Sequence, residues 1–255
     1  MQSVSNMSIP LSWKAIVKQV FGLDTEIQAV YFYESKKNQV SRLRLLVNGE
    51  QTDIIAKKYV WGDMDSEIAV LKKADSLDLN VPGFIARFSD IAFFTPVPGV
   101  SMHNPITEKQ AQLLGEWLKA FHESMTPQRA RGTFLRGDCT LKNFLYDEEG
   151  EKIYSLDFEQ AYFGPAEDDL AELIVTLLAG AKAENVWDSP HISAVKNMLR
   201  AYKRKFNAIF LFEEIIQGLT NRMEFRREFA LEIQALIDEL NKQKKLFIEL
   251  LENRW

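Results

Sequence analysis

Residues 136–159 read RGDCTLKNFLYDEEGEKIYSLDFE, and this stretch decides the fold. Phe144-Leu145-Tyr146 and Ile153-Tyr154-Ser155-Leu156 are short apolar runs separated by Asp147-Glu148-Glu149-Gly150, the pattern of a β-hairpin. Arg136-Gly137-Asp138-Cys139-Thr140-Leu141-Lys142-Asn143 leads into the first run, and Leu156-Asp157-Phe158-Glu159 follows the second. Closing such a hairpin joins its two ends, so Asp138, Asn143 and Asp157 are expected to converge although 19 positions separate the outer two.

An amide and a carboxylate offer hard oxygen ligands that suit magnesium on nucleotide phosphates. A second carboxylate beside them can hold a hydroxyl and accept its proton. The run Arg-Gly-Asp, four residues, Asn, then Leu-Asp-Phe-Glu resembles the core of the aminoglycoside phosphotransferase and choline kinase-like family, a branch of the protein-kinase-like fold. That family's pattern is His-Gly-Asp, four residues, Asn, then Ile-Asp-Phe/Trp-Glu. The likeness extends to Gly164-Pro165-Ala166-Glu167-Asp168-Asp169-Leu170-Ala171 and, upstream, to the helix from Leu113 to Phe121-His122. It implies Asp138 as catalytic base, Asn143 and Asp157 as magnesium ligands, and Asp169 as a buried brace for the loop. Glu159 is a candidate metal ligand and equally a candidate hairpin-edge acid. Arg136 stands where the family has a bracing histidine; an arginine cannot accept a hydrogen bond, so when buried it must find acidic or carbonyl partners.

Upstream, Ile27–Tyr33 and Val40–Val47 read as strands, the second alternating Leu43, Leu45 and Val47 against Arg42 and Arg44. Asn48-Gly49 is a hairpin turn and Thr52–Val60 the third strand, with Arg44 set opposite Asp53. A helix runs from Trp13 to about Val20 and another from Asp65 or Ser66 to Ala74; Phe84–Phe88 and Ile91–Thr95 form a second hairpin. Pro96-Val97-Pro98-Gly99 marks a boundary. Beyond it, helices are expected at 107–122, 168–183, 193–212 and through the stretch 223–253. The whole predicts an α+β, bilobal protein-kinase-like fold. Residues 1–97 form a nucleotide-binding lobe, an antiparallel sheet with one or two helices, and residues 98–255 a mainly helical catalytic and substrate-binding lobe.

Transfer from ATP needs a cation on the phosphates, oriented by an acid. Lys57 and Lys58 both lie on the third strand. Lys58 shares the more apolar face with Ile54 and Ala56, whose small side chain leaves room for a base, and is the preferred residue; Lys57 is the alternative, since one bulge exchanges them. Glu67, early in the next helix, is its partner by resemblance, with Asp63 and Asp65 weaker candidates. No glycine-rich loop is present. Asn38, within Ser35–Leu43, resembles the family's Ser-Asn-x-Val-Tyr-Arg-Leu and is a nucleotide-binding candidate, with Lys36 or Lys37 adding charge. The carbonyl of Thr95 and the amide of Val97 match the family's adenine-binding hinge.

The 255 residues carry 46% apolar and 26% charged side chains, which excludes disorder and leaves room for one or two cores. Thirty-one basic against 36 acidic residues give a net charge of −5, so bulk nucleic-acid binding is not expected. A single cysteine, Cys139, rules out an intrachain disulfide and reads as a small buried thiol. With no apolar run near the roughly 20 residues of a membrane span, the chain reads as cytoplasmic. His103, His122 and His191 read as helix-end or surface residues. The expected reaction is ATP- and magnesium-dependent phosphorylation of a hydroxyl on a small polar molecule such as an aminoglycoside, amino alcohol or sugar. Glu159, Glu167, Asp168, Glu213 and Glu214 are candidates for an acidic pocket. The rivals are a kinase of proteins or lipid-linked sugars, and a nucleotide-binding pseudokinase.

Overall fold

The computed structural model describes residues 11–33, 35 and 37–252, so Lys36 and the ten N-terminal residues lie outside it. The chain forms two compact units, Met1–Asp75 with Val81–Val97, and Ser76–Asn80 with Pro98–Trp255. The fold is α+β.

In the first unit, helix α1 (Leu11–Phe21) precedes strands β1 (Glu26–Tyr33), β2 (Gln39–Val47) and β3 (Glu50–Lys58). Helix α2 (Met64–Asp75) and strands β4 (Phe84–Phe88) and β5 (Ile91–Phe94) complete it. The five strands form one antiparallel sheet in the order β1-β2-β3-β5-β4. The register sets Leu43 opposite Ile54 and Arg44 opposite Asp53, so period-two alternation sends the leucines to one face and the charges to the other. Helix α1 covers the apolar face: Val17, Leu43, Leu45, Ile54, Ala56, Ile91 and Phe93 form the core, with Phe21 edge-on to Phe93 at 5.2 Å. On the outer face Arg44 Nε donates to Asp53 at 3.0 Å and Arg42 joins the same carboxylate. Asp63 caps α2, accepting from the N–H groups of Asp65 and Ser66 at 3.0 and 3.1 Å. It does not serve a lysine.

The second unit contains β6 (Val100–Ser101), α3 (Glu108–Met125), β7 (Thr133–Leu135), β8 (Phe144–Asp147), β9 (Lys152–Ser155) and β10 (Tyr162–Gly164). Helices α4 (Ala166–Leu178), α5 (Pro190–Tyr202), α6 (Ala208–Phe225), α7 (Ala230–Lys242) and α8 (Lys244–Glu252) follow. Thr107 and Gln110 close a capping box on α3. The expected continuous helix over 193–212 is two helices. Ser189 caps α5 with Pro190 in its first turn, Lys203 turns left-handed at φ 53°, and Asn207 caps α6 through Ile209 and Phe210. The stretch 223–253 is likewise broken, at residues 227–229 and at Gln243. Helices α3 and α5 meet at Gly115, where a Cβ would lie 2.1 Å from the Met198 carbonyl oxygen. Trp117 and Phe121 of α3 stack at 5.2 Å and pack on Phe144 and Phe158, one aromatic from each end of the β8–β9 hairpin. No helix among the described residues is long and apolar enough to cross a membrane.

Candidate active site

Strands β8 and β9 pair antiparallel from Phe144 opposite Ser155 to Asp147 opposite Lys152, and Leu156 N–H continues the ladder to the Asn143 carbonyl at 2.9 Å. The loops at the two ends are thereby neighbours. Arg136 ties them together. It is 0% exposed, and Nε donates to Ser155 Oγ at 2.7 Å. One terminal nitrogen donates to the carbonyls of Gly137 (2.7 Å) and Asp138, the other to those of Leu156 and Asp157 (3.3 Å). Its guanidinium carbon lies 5.0 and 5.3 Å from the ring centres of Phe144 and Phe158. A buried cation is tolerable because carbonyl dipoles and ring faces replace its water.

Asp138 is half-buried, and its backbone is left-handed at φ 39°. Gly137, at φ 63°, needs to be glycine twice over, since a Cβ there would lie 2.2 Å from the Gln160 carbonyl oxygen. The Asp138 carbonyl accepts from Thr140 N–H at 2.8 Å and from Asn143 Nδ2 at 2.9 Å. With its NH₂ so engaged, the oxygen that Asn143 can offer a cation is Oδ1, an acceptor. Asp157 is half-buried at φ 64°. Oxygen donors of this kind, an amide carbonyl and a carboxylate, fit magnesium. Lys142 Nζ is 4.0 Å from the Asp138 carboxylate.

Helix α4 grips the loop from beneath. Asp169 accepts from Arg136 N–H at 2.8 Å and Gly137 N–H at 3.0 Å, and Glu172 accepts from Cys139 N–H at 2.5 Å. His122 Nε2 is 2.9 Å from Asp169 Oδ2, and its Nδ1 is 2.7 Å from Tyr202 Oη. Fully buried, His122 is an interior link of this network and neither a surface nor a free helix-end residue. Burial pushes the Tyr202 hydroxyl and the Cys139 thiol well above their ordinary ranges. Tyr202, Ser155 and Glu172 carry no local signal in the sequence, because their partners lie on other elements, and for His122 the one sign was its place at the end of the Leu113–His122 likeness.

In the first unit Lys57, not Lys58, pairs with Glu67, Nζ to Oε2 at 2.8 Å. Tyr59, two residues on and therefore on the same face, donates to the same Oε2 at 2.6 Å. The apolar face that favoured Lys58 is the face closed by α1, whereas Lys57 lies on the opposite one. Lys58 has a 42% exposed side chain beside Asp90 at 3.8 Å, against 11% for Lys57. No bulge shifts β3. Asn38 is buried, and its Oδ1 accepts from Val60 N–H at 2.9 Å and Trp61 N–H at 3.2 Å, which shapes the loop after β3. Thr95 is fixed to Gly83 by its N–H and its hydroxyl, both at 2.8 Å, just after β5 ends, and Val97 follows at the last position of the first unit.

The same fold occurs in solved kinases of small molecules. A spectinomycin phosphotransferase in complex with ADP and spectinomycin aligns with a TM-score of 0.62 at 12% identity, covering 97% of this chain and 99% of that one. A choline/ethanolamine kinase family protein from Mesorhizobium loti aligns at 0.61 and 12%, covering 95% and 96%. For an ethanolamine kinase from Plasmodium vivax the values are 0.60 and 11%, covering 98% and 87%. The architecture is thus the protein-kinase-like fold. No curated protein matches the sequence. A bacterial family described as "Uncharacterized protein conserved in bacteria (DUF2252)" matches residues 110–243, which take in Asp138, Asn143, Asp157 and Asp169. With just over half of its length inside that match, this chain belongs to the DUF2252 family.

Proposed function

We propose that this protein transfers the γ-phosphoryl group of ATP to a hydroxyl of a small polar molecule. The observation that carries this reading is the Arg136-centred junction, which holds the backbones of Asp138 and Asp157 on one guanidinium. Such a junction has a use where a proton acceptor and a phosphate-binding acid must keep a fixed spacing.

In this reading the acceptor hydroxyl donates to the Asp138 carboxylate. As its oxygen bonds to the γ-phosphorus, the bond from that phosphorus to the β,γ-bridging oxygen breaks; the hydroxyl proton passes to Asp138 and ADP leaves. Lys57, oriented by Glu67 and Tyr59, donates to the α- and β-phosphates, and the Thr95 carbonyl and Val97 N–H receive the adenine. Asn143 Oδ1 and the Asp157 carboxylate would hold magnesium, which supplies charge neutralisation on the phosphates when bound. The acceptor belongs to the class phosphorylated by proteins of this fold, for which spectinomycin, ethanolamine and choline are the examples.

The test is transfer from γ-labelled ATP with magnesium to a panel of aminoglycosides, amino alcohols and sugar amines. Asp138→Asn and Asp157→Asn are each expected to lower transfer by about 100-fold or more while leaving the melting temperature near that of the parent. Absence of transfer to every compound by the parent protein, or full transfer by either variant, defeats the proposal.

A further inference from the structure

Asp169 and Glu172 are three residues apart on α4 and so share one face. Between them they take three amides of the loop, those of Arg136, Gly137 and Cys139. The residue flanked on both sides by these grips is Asp138, whose left-handed backbone a side chain with a Cβ does not adopt freely. Conformations of that kind persist where surrounding bonds over-determine them. Asp169 secures the N-terminal side of Asp138; on the C-terminal side the Asp138 carbonyl is held by Arg136, Thr140 and Asn143, and Glu172 is the one grip there that comes from α4.

We infer that Glu172 is a positioning residue for Asp138, a second clamp on the Cys139 amide that sets the direction of the Asp138 carboxylate. This rests on the reading of Asp138 as the group that orients the acceptor. Glu172 joins Glu167 and Asp169 as carboxylates on a helix whose remaining buried face is mainly aliphatic. Burial pushes its carboxyl above the ordinary range, the Cys139 N–H pulls it back, and the charges of Asp138 and Asp169 push it up again. A hydrophobic residue would avoid that conflict but offer no acceptor to the loop.

Cys139 supplies the readout. It is the only cysteine in the chain, its side chain is 0% exposed, and burial keeps the thiol protonated, so a thiol reagent reaches it only when the loop opens. The rate of labelling by dithionitrobenzoate is to be measured under native conditions for the parent, Glu172→Ala, Glu172→Gln and Val175→Ala. The last is a control that trims a buried residue of the same helix. We expect about 10-fold faster labelling or more in Glu172→Ala, a rate within about threefold of the parent in Glu172→Gln, which keeps an acceptor oxygen, and a near-parent rate in Val175→Ala. With ATP and an accepted hydroxyl compound, kcat should fall in Glu172→Ala, recover in Glu172→Gln, and leave KM for ATP unchanged. Should Glu172→Ala fail to fold, Glu172→Met keeps the volume and removes the acceptor. Labelling at the parent rate, labelling no faster than a control of equal melting temperature, or an unaltered kcat would each overturn the inference. A parent protein that transfers no phosphate sinks the proposed function alone, since the labelling comparison still decides the clamp.

Discussion

Lys57 and Arg136 are both buried basic side chains, one in each unit, and they are held by different kinds of partner. Lys57 lies 2.8 Å from the Glu67 carboxylate, with the Tyr59 ring 4.9 Å from its ammonium. Arg136 has five hydrogen bonds, to one hydroxyl and four backbone carbonyls. An ammonium is a compact point charge with donors that rotate, which is the property the proposed role of Lys57 in meeting a phosphate requires. The guanidinium is a rigid fork whose donors are all spent on the protein's own chain. The first arrangement suits a cation that meets a ligand, the second a cation that replaces a piece of secondary structure.

The contrast can be broken most directly at Arg136. Arg136→Met strands four carbonyls in the interior and should cost about 3–5 kcal/mol. For a chain of this size that lowers the melting temperature on the order of 10 °C. Calorimetry giving a loss under about 1 kcal/mol would mean that the two loops hold together without their fork. At Lys57 the expected effect is on turnover. Lys57→Met should reduce ATP turnover about 100-fold, and Lys58→Met no more than about threefold; equal losses would restore Lys58 as a candidate and dissolve the contrast.

The smallest effect belongs to the ion cluster on the outer face of the sheet, where water is admitted. The Arg44 guanidinium, with Arg42 beside it, holds the Asp53 carboxyl below the usual carboxylate range. A depressed folded pKa contributes stability above the unfolded value of about 3.9, and that contribution is lost as pH falls through the lower, folded one. Because both arginine side chains are about one-third exposed, screening limits the effect to under about 1 kcal/mol. Chemical denaturation at pH 6 and pH 3 should show Asp53→Asn losing less stability on acidification than the parent; an equal loss removes Asp53 from the account.

Local rules made the sheet legible. Alternation along β2 and β3, with the Asn48-Gly49 turn between them, suffices to pair Leu43 with Ile54 and Arg44 with Asp53. The same alternation separates Lys57 from Lys58 but is silent on which face α1 will cover, and that covering decides the partner of Glu67. Ala56 looked like space for a base and is instead packed in the core with Val17 and Phe93. The break over 203–207 has no Gly or Pro to announce it; the capping pair Ser189-Pro190 and the cap Asn207 were the available signs. In the second unit Asp138, Asn143 and Asp157 stand out because one hairpin connects them. The pairing of His122 with Tyr202 does not, the two being 80 residues apart and joined only by the packing of α3 on α5.

That packing hangs on an atom that is missing. Gly115 lies two turns before His122 and abuts the backbone at Met198, one turn before Tyr202. Where the main chains of two rods touch, no softer layer of side chains remains to absorb error, so a methyl group at 115 would act as a shim. The gap between imidazole and phenol, two turns away, would widen with it, and the hold of the imidazole on Asp169 would slacken although nothing near the Asp138 loop had been altered.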